Sequence, residues 1–132
     1  MLNLLGVLYK KIGEKQKSTD AYHNALLINP DYAEAYFNLG NSLILEGLIE
    51  EAEKAFVKAA ELQPKNAKIF FNLAYVNNKK GNTEKSENYL KISLELDENY
   101  AEALHLLAQI YYKKGHAKLA LSKFKKCIRL KP

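Results

Sequence analysis

Residues 33–66 read AEAYFNLGNSLILEGLIEEAEKAFVKAAELQPKN, and their punctuation decides the fold. Gly47 and Pro64 divide the stretch into two segments of helical composition. In the first, Tyr36, Leu39, Gly40 and Leu43 fall at i, i+3, i+4 and i+7, one face of an α-helix. Gly40 on that face lets a second helix approach closely. Gly47 ends the first helix, because glycine takes the left-handed cap conformation without a steric penalty. In the second segment Ala52, Phe56 and Ala59 form the inner face, and Pro64, with no N–H to donate, stops it. Two antiparallel helices of this kind cannot bury their apolar stripes alone, so they need neighbours.

Working outward, the neighbours are copies. Gly13, Gly47, Gly81 and Gly115 recur every 34 residues. Gly6 and Gly40 share that spacing, and Ala74 and Ala108 continue their row. Pro30, Pro64 and Pro132 lie on a third row, with Glu98 in the remaining place. Glycine and proline cost about 1 and about 3 kcal/mol inside a helix, so one period for all of them places every helix boundary. The units run over about 1–32, 33–66, 67–100 and 101–132.

The unit resembles the tetratricopeptide repeat (TPR), whose pattern is aromatic–x2–Leu–Gly–x2–Tyr, then Ala–x3–Phe, then Pro. The second unit carries it as Tyr36, Leu39, Gly40, Leu43, Ala52, Phe56 and Pro64, and the fourth as Leu104, Leu107, Ala108, Tyr111, Ala120, Phe124 and Pro132. The first has Leu2, Leu5, Gly6, Tyr9, Ser18, Tyr22 and Pro30. The third departs most, with Phe70, Leu73, Ala74, Asn77, Ser86, Leu90 and Glu98. The resemblance implies an all-α, right-handed TPR superhelix, an α-solenoid of eight antiparallel helices spanning 1–132 as a single array.

Composition narrows the function classes. Hydrophobic residues make up 48% and charged residues 27% of the 132, the balance of a folded globular chain rather than a disordered one. No apolar run approaches the roughly 20 residues that cross a bilayer. The apolar start, Met1 to Leu5, is followed rather than preceded by Lys10 and Lys11, the reverse of a secretory signal. Cys127 has no second cysteine to pair with, which fits a reducing compartment, and a cytoplasmic location is expected. Cys127 shares its row with Ala25 and Ala59 and reads as a buried core thiol. His23, His105 and His116 form no metal-ligand spacing, and no phosphate-binding glycine loop occurs. The expectation is therefore a non-enzymatic chain with no cofactor and no metal.

Charge is unevenly distributed. Residues 101–132 hold eight basic residues and one acid, so the last unit accounts for the whole +5 excess. Its second helix carries Lys118, Lys123, Lys125, Lys126, Arg129 and Lys131. A solvated outer face explains this stripe best, with an acidic partner next. Nucleic acid is disfavoured, because no exposed aromatics interleave the lysines.

In TPR arrays the first helix of each pair lines a concave groove, and this resemblance places the candidate site. It implies Asn3, Leu4 and Val7 in the first unit and Phe37, Asn38 and Asn41 in the second. The third contributes Lys68, Phe71, Asn72, Tyr75 and Lys79, and the fourth His105, Leu106, Gln109, Tyr112 and Lys113. Asn38 and Asn72 lie one repeat apart, and each amide can donate to and accept from a peptide bond. Phe37 and Phe71 form a second row that reads as apolar where no core packing requires it. The two asparagines resemble the ladder of TPR arrays attached to glycosyltransferases, with Leu4 and Leu106 in the outer places. Of the five places of the carboxylate clamp in chaperone-binding TPR domains, only Asn38 and Lys68 agree, so no clamp is expected.

These features imply a protein–protein interaction module that binds an extended peptide or a partner protein in its groove. Two alternatives stay open: a substrate-recruiting TPR segment of a larger enzyme such as a glycosyltransferase, and a self-assembling scaffold. The ends bear on the last. Leu121 and Ile128 flank Phe124 on the final helix, where a following helix would pack, and Glu53 and Glu87 hold the place of Leu121 in the two middle units. The first helix is apolar nearly all round, so self-association through the terminal helices is expected unless longer sequence covers them.

Overall fold

The computed structural model describes residues 1–130; Lys131 and Pro132, and with them the last place of the proline row and of the basic stripe, lie outside the described residues. Among those described there are eight α-helices and no strand. They are α1 (Leu2–Lys11), α2 (Lys15–Ile28), α3 (Ala33–Leu45), α4 (Ile49–Leu62), α5 (Ala67–Lys79), α6 (Thr83–Leu96), α7 (Ala101–Lys113) and α8 (Ala117–Leu130). None is long and apolar enough to cross a membrane. The chain divides into two compact units, Met1–Pro64 and Lys65–Pro132, each built from two helix pairs.

The boundaries follow from the period. Gly13, Gly47, Gly81 and Gly115 all take φ between 80 and 84°, the left-handed region. At Gly47 the glycine N–H donates to Ile44 O at 3.0 Å and the Leu48 N–H to Leu43 O at 2.9 Å. This pair of bonds satisfies two carbonyls that the end of α3 would otherwise leave bare. The same two bonds recur at the other three glycines. At the start of α5, Asn66 Oδ1 accepts from the Lys68 N–H at 3.1 Å, an N-cap.

In the first unit, each helix pair closes by seating a ring on a glycine. A Cβ added to Gly6 would stand 2.5 Å from the Tyr22 ring, and one on Gly40 would stand 2.6 Å from Phe56. Tyr22 and Phe56 are both fully buried, and burial raises the pKa of the Tyr22 hydroxyl. In the second unit the small residue grows to Ala74 and the ring gives way to Leu90, so the weakest match to the repeat pattern is a compensated exchange of volume. Both belong to a core with Ala103, Leu107, Ile110, Tyr111 and Ala120.

Serines replace alanines on two core rows and find backbone acceptors. Ser18 Oγ donates to Gly6 O at 2.8 Å and Ser86 Oγ to Ala74 O at 2.7 Å. One row on, Ser93 Oγ donates to Ala67 O at 2.9 Å, and the Cys127 thiol reaches Ala101 O at 3.6 Å.

Within each unit the second helix of one pair packs on the first helix of the next, α2 on α3 and α6 on α7. A polar contact marks both junctions at the same repeat positions. Thr19 Oγ1 donates to Glu46 Oε1 at 2.9 Å, and Lys114 Nζ donates to Glu87 Oε2 at 2.9 Å. Glu87, whose side chain is largely buried, has its carboxyl held below the ordinary 4.5, chiefly by the Lys114 hydrogen bond.

Candidate functional site

The candidate residues fall into two groups, one in each unit. In the first unit, Asn38 on α3 is half-buried and its Nδ2 donates to Asn3 Oδ1 at 3.1 Å. Asn3 on α1 is itself buried and donates from Nδ2 to the Tyr32 hydroxyl at 3.3 Å. Asn3 is therefore a structural amide rather than an open face residue, while its neighbour Leu4 is exposed. The asparagine that Leu4 denies to the ladder is supplied from one position earlier. Phe37 is half-buried with its ring edge-on to Phe56, centroids 6.0 Å apart, and Asn41, one turn further along α3, is also half-buried.

In the second unit, α5, α7 and α8 border an open cleft of about 420 Å³. Five of the expected residues line it: Phe71, Tyr75, His105, Leu106 and Gln109. Phe71 meets Tyr100 edge-on at 5.3 Å and packs against the core of this unit. The expectation that Phe37 and Phe71 lack core partners thus does not hold. Each is half-buried against an aromatic outside its own helix, Phe56 on α4 and Tyr100 just before α7, so only part of each ring remains for a ligand. Lys79 Nζ stands 5.4 Å from the Tyr75 ring centroid, a cation–π contact at the cleft wall. His105 packs edge-on against Phe124 at 5.7 Å.

Lys68, Asn72 and Tyr112 are not among the residues lining the cleft. Lys68 is exposed at the first turn of α5, Asn72 is half-buried, and Tyr112 is 72% exposed near the end of α7.

Three lining residues were not anticipated: Ala101, Glu102 and Cys127. Glu102 shares the i, i+3, i+4, i+7 face with His105, Leu106 and Gln109, a spacing that could have found it. Cys127 was expected to be buried like Ala25 and Ala59, yet it is half-buried and forms part of the cleft wall. The sequence carried no signal for this, since Ser93, the donor one repeat earlier on the same row, is fully buried. The Glu102 carboxylate also acts on the adjoining Tyr100, whose pKa is pushed up to about 12 by burial first, then by Glu102 and Asp97. The cleft therefore combines apolar walls with an acidic, a histidine and an amide side chain on one helix. That composition suits side chains and backbone of a peptide.

Comparison with known proteins places this geometry in a family. Tetratricopeptide repeat models match residues 1–32, 33–66, 55–88 and 101–132. Tetratricopeptide repeat protein 6 of Homo sapiens is 37% identical over 54 residues, which is 41% of this chain and 10% of that protein. The matched stretch thus covers about a tenth of the length of that relative. Among solved structures, MamA superposes with a TM-score of 0.89 at 24% identity, covering 96% of this chain and 74% of that one. YrrB, described as a TPR protein with an unusual peptide-binding site, superposes with a TM-score of 0.85 at 26% identity, covering 99% of this chain and 68% of that one. With family models matching through most of its length and helix pairs at the matching places, this chain belongs to the tetratricopeptide repeat family.

Proposed function

We propose that this chain is a protein-interaction module that holds an extended peptide of a partner protein in the cleft bordered by α5, α7 and α8. The observation that carries the reading is the convergence of Phe71, Tyr75, His105, Leu106 and Gln109 on one cleft of about 420 Å³. Gln109 offers an amide that can pair with a peptide bond in both senses, and Tyr75 and Phe71 offer apolar contact. The likeness to YrrB supports a peptide as the ligand. The Cys127 thiol donates to Ala101 O and the His105 ring packs edge-on against Phe124, so each is engaged by a structural partner, and binding rather than catalysis is the proposed role.

A random peptide library selected on the purified chain tests this. Selected peptides should lose about tenfold or more in affinity on Tyr75→Ala combined with Gln109→Ala, since each contact contributes about 1 kcal/mol or more. Far-UV circular dichroism should stay unchanged. Peptides that bind both proteins equally would place the site outside this cleft.

A further inference from the structure

The two ends of the chain present complementary halves of the packing that joins α2 to α3 and α6 to α7. On α3 and α7 the receiving face is Ala35, Leu39 and Ser42, and Ala103, Leu107 and Ile110, none more than 5% exposed. The matching stripe is Met1, which precedes α1, with Leu5 and Leu8 on α1, wholly apolar and between 39% and 100% exposed. At the other end, Leu121 and Ile128 on α8 are each more than half exposed. They border an open hollow of about 660 Å³ with Lys118, Ser122, Lys125 and Arg129. The counterpart of Ile128 on α6 is Leu94, which packs against the core.

The pair of positions that carries the polar contact inside each unit identifies the occupant. Thr19 meets Glu46 and Glu87 meets Lys114. At the ends those two places hold Leu121 on α8 and Ile12 just past α1, and Ile12 is exposed. A repeat with an acid or a base at the receiving place would leave that charge against Leu121, desolvated and unpaired. This chain's own Ile12 offers a matching apolar side chain instead.

We propose that α8 of one copy docks on α1 of a second copy, repeating the α6-on-α7 packing with a Leu121–Ile12 contact where Glu87–Lys114 stands within the chain. The contact is head-to-tail, so it does not close on itself, and assemblies grow with concentration. The flanking Lys118, Lys125 and Arg129, and Lys10 and Lys11 on α1, repel at low ionic strength. Salt therefore strengthens an association of this kind rather than weakening it.

Sedimentation of the 132-residue chain over a concentration series, at low and high salt, tests the proposal. The weight-average mass should climb past that of a dimer and climb further with salt. Leu121→Glu and Ile12→Lys, both at exposed positions, should each weaken association by about tenfold or more. The two substitutions together recreate the Glu87–Lys114 chemistry across the junction. That double variant should regain association, now weakened by salt. A strictly monomeric chain would overturn the proposal and leave the two faces to flanking sequence or another partner. So would a mass that stops at the dimer, an association indifferent to both single substitutions, or a double variant no better than either single one.

Discussion

Gly40 lies directly beneath the Phe56 ring, so close that a Cβ on Gly40 would stand 2.6 Å from one ring carbon and under 3 Å from two others. Phe56 is fully buried and meets Phe37 edge-on, so it has no room to withdraw. Gly40→Leu should therefore overpack the α3–α4 pair and cost about 1–3 kcal/mol, read as a lower midpoint in denaturant unfolding. Gly47 gives the contrast. It has open space around it but a φ of +80°. Gly47→Ala should destabilise through backbone strain by about 1–2 kcal/mol, and Gly47→Asn by less, because asparagine tolerates that region. Equal midpoints for wild type and Gly40→Leu would mean that the helix pair does not close as described.

Asn38 cannot serve as a purely ligand-directed probe, because its Nδ2 already donates to Asn3 Oδ1. Asn38→Ala should destabilise the first unit by about 1–3 kcal/mol, the cost of leaving the buried Asn3 oxygen without its donor. Asn3→Leu combined with Asn38→Ala should lose less than the sum of the two single changes, since both partners go together. Full additivity would show that the Asn3–Asn38 bond contributes nothing in solution.

The helix boundaries and the glycine seats were legible because they depend on residues within one repeat: a positive φ at Gly47, a missing side chain at Gly40. The candidate site was legible only in part. His105, Leu106 and Gln109 on α7 were placed by the resemblance to TPR arrays, and helical spacing from them reaches Glu102 as well. That Phe37 meets Phe56, or Phe71 meets Tyr100, depends on how far each ring reaches toward another helix, which periodicity along one helix does not specify. Cys127 went astray for a related reason. Repeat equivalence assigned it the burial of Ala25 and Ala59, whereas the wall of a cleft exposes the same row at α8.

The Glu87–Lys114 pair should make stability depend on pH and salt in a defined sense. The Glu87 carboxyl is held below its ordinary 4.5, first by the Lys114 hydrogen bond, against burial, with Lys91 assisting. Its contribution is therefore present above the unfolded value and is lost as pH falls through the folded one. Lys114 is raised by the same bond, so its contribution is present below its ordinary 10.5 and fades as pH rises through the folded value. The stability difference between wild type and Glu87→Gln should be a plateau through neutral pH that falls away at both ends and shrinks in high salt. Melting temperatures across pH 3 to 11 measure it; a difference that grows on acidification would reverse the assigned sign.

Asn77 is the one core side chain whose replacement should help. It is fully buried, in the place held by Tyr9, Leu43 and Tyr111 in the other repeats. Its Nδ2 donates to Leu73 O at 2.8 Å, back along its own helix, and its Oδ1 meets no partner among the described residues. A buried acceptor left unpaired costs about 1–3 kcal/mol, and asparagine is a poorer helix former than leucine by up to about 0.7 kcal/mol. The backbone at this place already accommodates a buried leucine at position 43. Asn77→Leu removes the orphaned oxygen and adds apolar contact, against some crowding from the larger side chain. The net expectation is a gain of about 1–2 kcal/mol, seen as a higher denaturant midpoint with an unchanged m value. Asn77→Ala should gain less, because it leaves a void where Leu fills it. A loss of stability in Asn77→Leu, with its circular dichroism unchanged, would show that the amide oxygen is paired in solution.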